Sequence, residues 1–475
     1  MQNNKLYSLL RSFSKNDLQR FAKYVNSPFF NENKELVQLF HAIKKGLVSN
    51  IKTGKEVSKL GLWLEIFPAK PFHDTRFRRL CSDLLKLAMD FLAYQQFKKT
   101  PLVSSLFLLP QLSAPQLDKH FTGVVRQMDK NLSQSDLRDS DYHYLNYMML
   151  QRRYEHLEHS AKKAAAFDFI EKSDYHLDCF YFSKKLQHYS DSLSYQSMIS
   201  GAAALHHFPH FLEYIQQTPY LNEPAVKAWQ LVVLMIKNPD EEGFFMQLKK
   251  LVEEEGNCFQ KKELQTLFIH LMNYCIFVKI HKGNETYYHE LLSLYKTGLA
   301  QNILFENNEL NPQHYKNIIT NALHVKAFNW VENFIQKYTP LLPPADRNNA
   351  LTYNLANVYF HKGEYEKVIG QLREVEYQDI TYALGSKLML LRTYYELDEI
   401  APLDSLIDSF RIYLRRNQHI SKEVKQQYMN TLRFTRKLLG IARYDQKSKE
   451  KIIEQIESCK TLVLKEWLLD KVGEL

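Results

Sequence analysis

The stretch ALTYNLANVYFHKGEYEKV, residues 350–368, decides the fold because small and apolar residues recur at helical spacing before a single glycine. Leu355, Ala356 and Tyr359 share one face of a first helix, and a second helix follows the glycine. Ala356 is small enough to let the second helix come close, while Tyr359 fills the space between the two helices. Gly363 can adopt the left-handed backbone conformation that reverses the chain. The stretch therefore predicts two antiparallel helices joined by a short turn.

Similar helix pairs can be placed along most of the chain beyond residue 140. First helices are predicted to begin near positions 141, 173, 223, 263, 311, 345, 379 and 421, and a shorter second helix lies between successive starts. No alternating strand pattern of useful length is present. Two-helix units that recur in this way are typical of an α-solenoid, in which each unit buries its apolar surface against its neighbours. We therefore predict an all-α fold, with an α-solenoid of helical hairpins over residues 141–440.

The remainder of the chain is also predicted to be helical. Glycine and proline number only 14 and 15 in 475 residues, and both interrupt helices. Residues 77–97 form an amphipathic pattern whose stripe consists of Leu80, Leu84, Leu87 and Phe91. We predict a helical N-terminal domain over residues 1–100, a junction with a linking helix over 101–140, and a C-terminal capping helix over 441–475 whose apolar face holds Ile452, Ile456, Val463 and Trp467. A dimerisation helix is the alternative for this last segment.

The opening stretch resembles the tetratricopeptide repeat, whose first helix carries W-x-x-L-G-x-x-Y. Leu355, Ala356 and Tyr359 take the last three positions of that motif, Thr352 stands in place of the tryptophan, and Gly363 matches the glycine of the turn. The second-helix positions correspond to Tyr365, Val368, Leu372 and Val375. A second copy carries Leu390, Leu391, Tyr394 and Asp398, and a third is approximated by Leu323, Ala327 and Trp330. The resemblance covers residues 312–410; the whole chain is also similar to an uncharacterised family of bacterial helical-repeat proteins, which implies no activity.

The resemblance to the tetratricopeptide repeat also implies a binding surface. First helices of that family line a concave groove that receives a peptide or a partner helix. The corresponding groove positions in this sequence are Asn317, Asn321, Tyr353, Asn357, Phe360, Arg392 and Tyr395. Asparagine suits such a groove because its amide both donates to and accepts from an extended peptide backbone. The charged clamp of chaperone-binding relatives requires lysine where Tyr353 and Leu388 stand. The alternative is that these side chains face solvent or neighbouring repeats.

The formal net charge of +9 is concentrated in one segment. Residues 411–451 hold twelve basic and three acidic side chains, and the remaining chain carries fifty of each sign. Helical geometry places Lys422, Lys425, Arg433, Arg436 and Lys437 on one face, opposite Val424, Tyr428, Leu432 and Leu439. Such a face attracts a polyanion: nucleic acid, an acidic protein tail or an anionic membrane surface. The alternative is an ordinary solvated helix face.

Sequence motifs of catalysis are absent. No two glycines are two residues apart, which excludes G-x-G-x-x-G, and there is no G-x-S-x-G elbow. His289-Glu290 begins like the zinc motif H-E-x-x-H, but Ser293 stands where the second histidine is required. The five cysteines contain no C-x-x-C pair and indicate free thiols in a reducing compartment. No secretion signal or bilayer-spanning run is evident, so we expect a cytoplasmic protein without metal or cofactor.

These observations favour a non-enzymatic scaffold that binds another protein through its groove. The alternative is a nucleic-acid-associated or regulatory protein that uses the basic face at 411–451. A third and weaker interpretation is an enzyme whose site lies between the N-terminal region and the array. The scaffold is preferred because a helical array offers a long binding surface and the sequence carries no reaction motif.

Overall fold

The computed structural model describes residues 4–53, 58–158, 163–198, 208–372, 380–441 and 445–475. Within these ranges the chain forms 23 α-helices and one pair of two-residue antiparallel strands. The predicted all-α fold is confirmed. The chain divides into two compact units, Met1–Lys184 and Lys185–Leu475.

The first unit contains α1 to α8 and the beginning of α9. Their bounds are α1 (Lys5–Arg11), α2 (Lys15–Val25), α3 (Lys34–Thr53), α4 (Lys59–Ile66), α5 (Asp74–Lys99), α6 (Pro101–Leu108), α7 (Asp118–Ser133), α8 (Ser140–Glu158) and α9 (Lys163–Met198). Helices α1 to α5 enclose one hydrophobic core. Phe21 is fully buried there, with its ring 4.9 Å from that of Phe40 and 5.2 Å from that of Phe91. The apolar stripe predicted for residues 77–97 is buried on α5.

The long helix α9 contains the position at which the two units divide. It runs without interruption for 36 residues and has neither glycine nor proline. The helix start predicted near residue 173 is therefore wrong. Without a helix-breaking residue, nothing in the local sequence separates a first from a second helix at that place.

The second unit contains the remaining helices. Their bounds are α10 (Phe208–Gln216), α11 (Pro224–Lys237), α12 (Glu242–Glu254), α13 (Lys261–Asn273), α14 (Tyr287–Ala300), α15 (Pro312–His324), α16 (Phe328–Tyr338), α17 (Arg347–His361), α18 (Tyr365–Leu372), α19 (Ile380–Glu396), α20 (Ile400–Arg416), α21 (Lys422–Leu438), α22 (Gln446–Ser458) and α23 (Lys465–Glu474). The strands β1 (Phe305–Glu306) and β2 (Glu309–Leu310) form a small hairpin between α14 and α15. The other seven predicted helix starts match α8, α11, α13, α15, α17, α19 and α21 to within two residues.

One kind of turn recurs between the helices of four successive pairs. Its central residue has a positive φ in every case: Gly283 (88°), Lys326 (56°), Gly363 (74°) and Asp398 (54°). The next residue donates its backbone N–H to the carbonyl five positions earlier, with N···O distances of 2.9–3.0 Å. This hydrogen bond closes the end of the preceding helix. The left-handed turn predicted at Gly363 is confirmed, and Asp398 occupies the same place in the next pair.

The helices of these pairs pack in a regular order. Helix α15 contacts α17, and α17 contacts α19, so first helices are neighbours of first helices. Each of the second helices α16, α18 and α20 contacts the first helix of its own pair and the first helix of the next. This order brings the side chains of α15, α17 and α19 onto one layer.

The C-terminal segment forms two helices where one was predicted. Helix α22 ends at Ser458, and residues 459–464 connect it to α23, with Leu464 in a left-handed conformation (φ 59°) immediately before that helix. Ile452 and Ile456 are buried on α22, whereas Trp467 is buried on α23. The predicted single apolar face is therefore divided between two helices, with Val463 in the connection between them.

Candidate functional site

Tyr353 links three successive first helices. Its ring centroid lies 5.7 Å from the ammonium nitrogen of Lys316 on α15 and 5.4 Å from the ring centroid of Tyr382 on α19. Gly385 on α19 permits this approach, because a Cβ at that position would lie 2.8 Å from the Tyr353 hydroxyl oxygen. Any larger residue at position 385 would require the Tyr353 ring to shift. Tyr353 itself is half-buried.

Arg392 forms a second connection between α17 and α19. Its guanidinium carbon lies 4.3 Å from the ring centroid of Phe360, a distance at which the cation and the ring attract each other. Burial lowers the pKa of Arg392, and the Glu396 carboxylate opposes that shift. An arginine side chain remains charged at neutral pH despite such a change. The second unit therefore holds a partly buried positive charge on an aromatic face.

Glu396, one turn further along α19, accepts two hydrogen bonds from α23. Trp467 Nε1 donates to Oε1 at 3.1 Å, and Lys471 Nζ donates to Oε2 at 2.8 Å. The side chains of Lys471 and Glu396 are only 11% and 17% exposed. Trp467 also lies edge-on to Tyr395, with ring centroids 5.3 Å apart. The end of α19 is thus covered by aromatic, cationic and anionic side chains that satisfy one another.

The seven predicted groove positions fall into three groups. Asn317, Tyr353 and Asn357 are half-buried on α15 and α17. Arg392 and Tyr395 are half-buried on α19 and contact Trp467. Asn321 and Phe360 are buried, at 4% and 7% exposure, and have little surface to offer a partner. Burial raises the pKa of the Tyr395 phenol, as expected for a hydroxyl close to the covering helix.

The burial of Asn321 follows from the repeat register. The left-handed residues Lys326 and Gly363 are 37 positions apart, one more than the offset used to align the repeats. Asn321 is therefore equivalent to the fully buried Val358 and not to Asn357. By the same offset Asn317 is equivalent to Asn354, which is fully buried, whereas Asn317 itself is half-buried. The Nδ2 of Asn321 donates to the Tyr288 carbonyl oxygen at 3.0 Å, so the amide connects α14 and α15.

The third copy of the repeat motif is displaced by one residue at its turn. Ala327, which the 36-residue offset matches to Gly363, follows the left-handed Lys326, and Trp330 lies on the second helix α16 as Tyr365 does on α18. The second-copy positions Leu390, Leu391 and Tyr394 do lie on α19. Val375 of the best copy lies outside the described residues.

The basic face on α21 is less uniformly positive than the sequence predicts. Arg436 Nη2 lies 3.1 Å from Asp404 Oδ1 and 2.9 Å from Asp408 Oδ1, both on α20. Lys437 Nζ donates to the amide oxygen of Gln455 at 2.6 Å. Two of the five cations are thereby engaged with neighbouring helices, and Arg436 is neutralised by two carboxylates.

The other three cations of the face differ in their exposure. Lys422 and Arg433 are exposed and Lys425 is half-buried, and the described residues supply no carboxylate partner to them. The apolar side chains predicted to lie opposite pack into the core of the second unit: Val424, Tyr428, Leu432 and Leu439. Arg443, which contributes to the charge of 411–451, lies outside the described residues.

Burial makes at least two of the thiols unreactive. All five cysteines are free, and Cys81, Cys179 and Cys275 are buried. Burial raises the pKa of Cys81 to about 11 and that of Cys275 to about 12, so both remain protonated near neutral pH. The described part of the chain brings together no three histidine, cysteine, aspartate or glutamate side chains that could hold a metal ion.

Sequence reasoning placed Trp467 on the apolar face of the last helix but missed the contacts that complete the surface on α19. Gly385 and Glu396 lie outside the repeat motif, and Trp467 and Lys471 are about 75 residues away in sequence from Glu396. The only available signal was the helical spacing of Trp467 and Lys471, which places both on one face of a short helix. Their contact partner could not be read from spacing, because it depends on how α23 folds back.

Comparison with known proteins gives no assignment. No protein-family model matches the chain, and no curated protein or solved structure is significantly similar to it. Among the described residues, no helix has both the length and the hydropathy needed to cross a bilayer.

Proposed function

We propose that the chain is a non-enzymatic scaffold of the cytoplasm, built as an α-solenoid of tetratricopeptide-like helix pairs, that binds a partner protein along the layer of its first helices. The observation that carries the proposal is the recurrence of one left-handed turn at Gly283, Lys326, Gly363 and Asp398. A turn that repeats with the same hydrogen bond sets each pair in a similar geometry. Stacked pairs of similar geometry present their first helices on a common surface, which is the usual binding surface of such arrays.

The chemistry of this layer suits a peptide or a helix. Asn317 and Asn357 present amides that can donate to and accept from a backbone. Tyr353 and Arg392 add an aromatic ring and a cation, both of which are enriched at the energetic centres of protein interfaces. A large aromatic side chain also gives contact area at a low cost in conformational entropy, because it has few rotatable bonds.

Replacing Asn317 and Asn357 together with alanine is expected to abolish co-purification of the partner from the native cell. The Asn317 amide oxygen accepts a hydrogen bond from Gln313 of its own helix, and Asn357 is half-buried. The melting temperature should change little, since surface substitutions of this kind usually alter the free energy of unfolding by less than about 0.5 kcal/mol. The measurement is quantitative mass spectrometry of material captured by the tagged wild-type and variant chains after nuclease treatment.

Glu366→Ala provides the matched control for that experiment, because Glu366 is exposed on the second helix α18. It should capture the same partner as the wild type. Equal capture by all three chains would contradict binding along the first helices. Arg392 is unsuitable as a test residue, since its removal would also disturb the packing of Phe360 and Trp467.

A second candidate function is binding of nucleic acid through Lys422, Lys425 and Arg433, which keep their charge facing solvent or half-exposed on α21. Reversing Arg433 to glutamate is expected to weaken binding to a duplex and to reduce the slope of log K against log salt by about one per lost phosphate contact. Arg436→Gln is the matched control, because that guanidinium is already paired with Asp404 and Asp408. A salt slope that is the same for the wild type and Arg433→Glu would remove this candidate.

A further inference from the structure

The C-terminal helix α23 covers part of the surface on which a partner is proposed to bind. Trp467 lies 5.8 Å from the guanidinium carbon of Arg392 and 5.3 Å from the ring of Tyr395, which are two of the seven predicted groove positions. The connection before α23 is fixed to α21, since Asn430 Nδ2 donates to the Thr461 carbonyl at 2.8 Å. The chain thus places one of its own helices where the repeat resemblance places a partner.

The contact between α19 and α23 depends on specific polar groups, as contacts in a ligand site do. Glu396 receives the indole N–H of Trp467 and the ammonium of Lys471, two groups that lie one helical turn apart on α23. Burial opposes the charged form of Lys471, but hydrogen bonds to Glu396 and Glu474 outweigh it and raise the pKa of that ammonium. A helix is recognised here by an aromatic anchor and a cation at fixed spacing.

The geometry points to α23 as an internal ligand: it occupies the partner site on α19 in the free chain, and the partner is an amphipathic helix that presents an aromatic residue and a basic residue one turn apart. This inference rests on the proposed scaffold function and deepens it, because it specifies the chemistry of the partner and the step that precedes binding. The partner must displace α23 to reach Arg392, Tyr395 and Glu396.

The construction of α23 fits a displaceable element. It has ten residues, fewer than an isolated helix needs to be stable in water, so its helicity depends on docking. No side chain caps its N-terminus, and the preceding residue, Leu464, adopts a left-handed conformation that is unfavourable for leucine. Trp467, Leu468 and Val472 of α23 are buried in the core of the second unit, so displacement of α23 exposes apolar surface that the incoming helix must cover.

Binding of a peptide copy of α23 to the full-length chain tests the inference. The probe is a fluorescein-labelled peptide of residues 461–475, TLVLKEWLLDKVGEL, and the measurement is fluorescence anisotropy. In the wild type the tethered α23 competes at an effective concentration in the millimolar range, which lowers the apparent affinity of the probe. Trp467→Ala in the chain weakens the competitor and leaves the receptor residues intact, so the probe is expected to bind at least tenfold more tightly.

Two further variants make that result decisive. Asp470→Ala changes an exposed residue of α23 and should bind the probe like the wild type. Lys471→Gln removes only the cation and, like Trp467→Ala, should make the probe bind more tightly. It keeps the test valid if the Trp467→Ala variant does not fold. Equal probe affinity in the wild type, Trp467→Ala and Lys471→Gln would overturn the inference. So would a wild-type dimer that Trp467→Ala converts to a monomer, because α23 would then serve a second copy of the chain.

Charge reversal tests the recognition chemistry itself. Glu396→Lys in a chain that also carries Trp467→Ala should weaken binding of the unmodified peptide at least tenfold, and a peptide carrying Lys471→Glu should recover part of that loss. Identical binding of both peptides to both chains would show that Glu396 does not select the cation.

The outcomes separate this inference from the function on which it rests. Suppose that the chain binds a partner through Asn317 and Asn357, but the wild type and Trp467→Ala capture the same amount of it. That result would reject the occupancy of the site by α23 and leave the scaffold function standing. Tight probe binding by Trp467→Ala, in a chain that captures no partner from its native cell, would reject the scaffold function and leave the internal contact standing.

Discussion

Truncation of Phe410 to alanine is expected to reduce the stability of the region formed by α19, α20 and α21 by about 3–5 kcal/mol, the usual cost of emptying a buried aromatic site. Phe410 is fully buried, and its ring packs edge-on to Tyr428 with centroids 5.8 Å apart. The ring also faces the ammonium of Lys387 at 5.9 Å. Burial lowers the pKa of Lys387, so loss of the ring would remove a favourable contact from a partly desolvated cation.

Native-state hydrogen exchange of α19, α20 and α21 would measure this loss for Phe410→Ala. Ile412→Ala is the control, because Ile412 lies on the same helix and is 47% exposed, so its truncation should cost less than about 1 kcal/mol. In a stacked array each unit contacts only its neighbours, and the loss should therefore stay local. An equal loss of protection in α11, α12 and α13 would contradict the α-solenoid arrangement and indicate a single cooperative core.

The positions of the helices could be read from the sequence because helix boundaries depend on local residues. Gly363 and the apolar spacing on both sides of it predict one helix pair and its turn, and the structure confirms both. The same reasoning extends to α19, where Asp398 replaces the glycine, because aspartate tolerates the left-handed region better than most residues. Local chemistry failed at α9, where the absence of glycine and proline permits one long helix in place of two.

The repeat register could be read only to within one residue. Lys326 holds the left-handed position of its pair, and nothing in a lysine signals a positive φ. An offset of 36 residues therefore matches Ala327 to Gly363 and places Asn321 in the groove, although Asn321 is buried. A shift of one position rotates a helical residue by about 100°, which is enough to move a side chain from the groove to the core.

The contacts that complete the candidate site lie beyond any local pattern. Glu396 meets Trp467 and Lys471 because α23 folds back on the second unit. The chain returns through residues 459–464, which end in Leu464, whose left-handed conformation is unusual for a leucine. The pairing of Arg436 with Asp404 and Asp408 is likewise a contact between helices. It neutralises a charge that helical geometry alone assigns to the basic face.

Replacing glycine with alanine is expected to change the free energy of unfolding in opposite directions at two positions of one helix pair, one in the left-handed turn and one inside a helix. Gly363 has a φ of 74°, and a Cβ added there would meet no atom within 4 Å. Gly363→Ala should therefore destabilise the chain by about 1–2 kcal/mol through backbone strain alone. Gly370 also has open space around its Cβ position but lies inside α18, so Gly370→Ala should stabilise the helix by roughly 0.5–1 kcal/mol.

Lys326→Gly is the reverse change, because it introduces glycine at a left-handed position. Lysine in the left-handed region is strained, and glycine relieves that strain while losing more conformational entropy on folding, so we expect a net gain of about 0.5–1 kcal/mol. Asp398→Gly should gain less, because aspartate adopts a positive φ more readily. Hydrogen exchange of the amides in α15 to α20 would measure all four variants. A loss of stability in Lys326→Gly would show that the lysine side chain itself stabilises the turn. The four turns would then not be equivalent at that helix pair, and the proposed array depends on their equivalence.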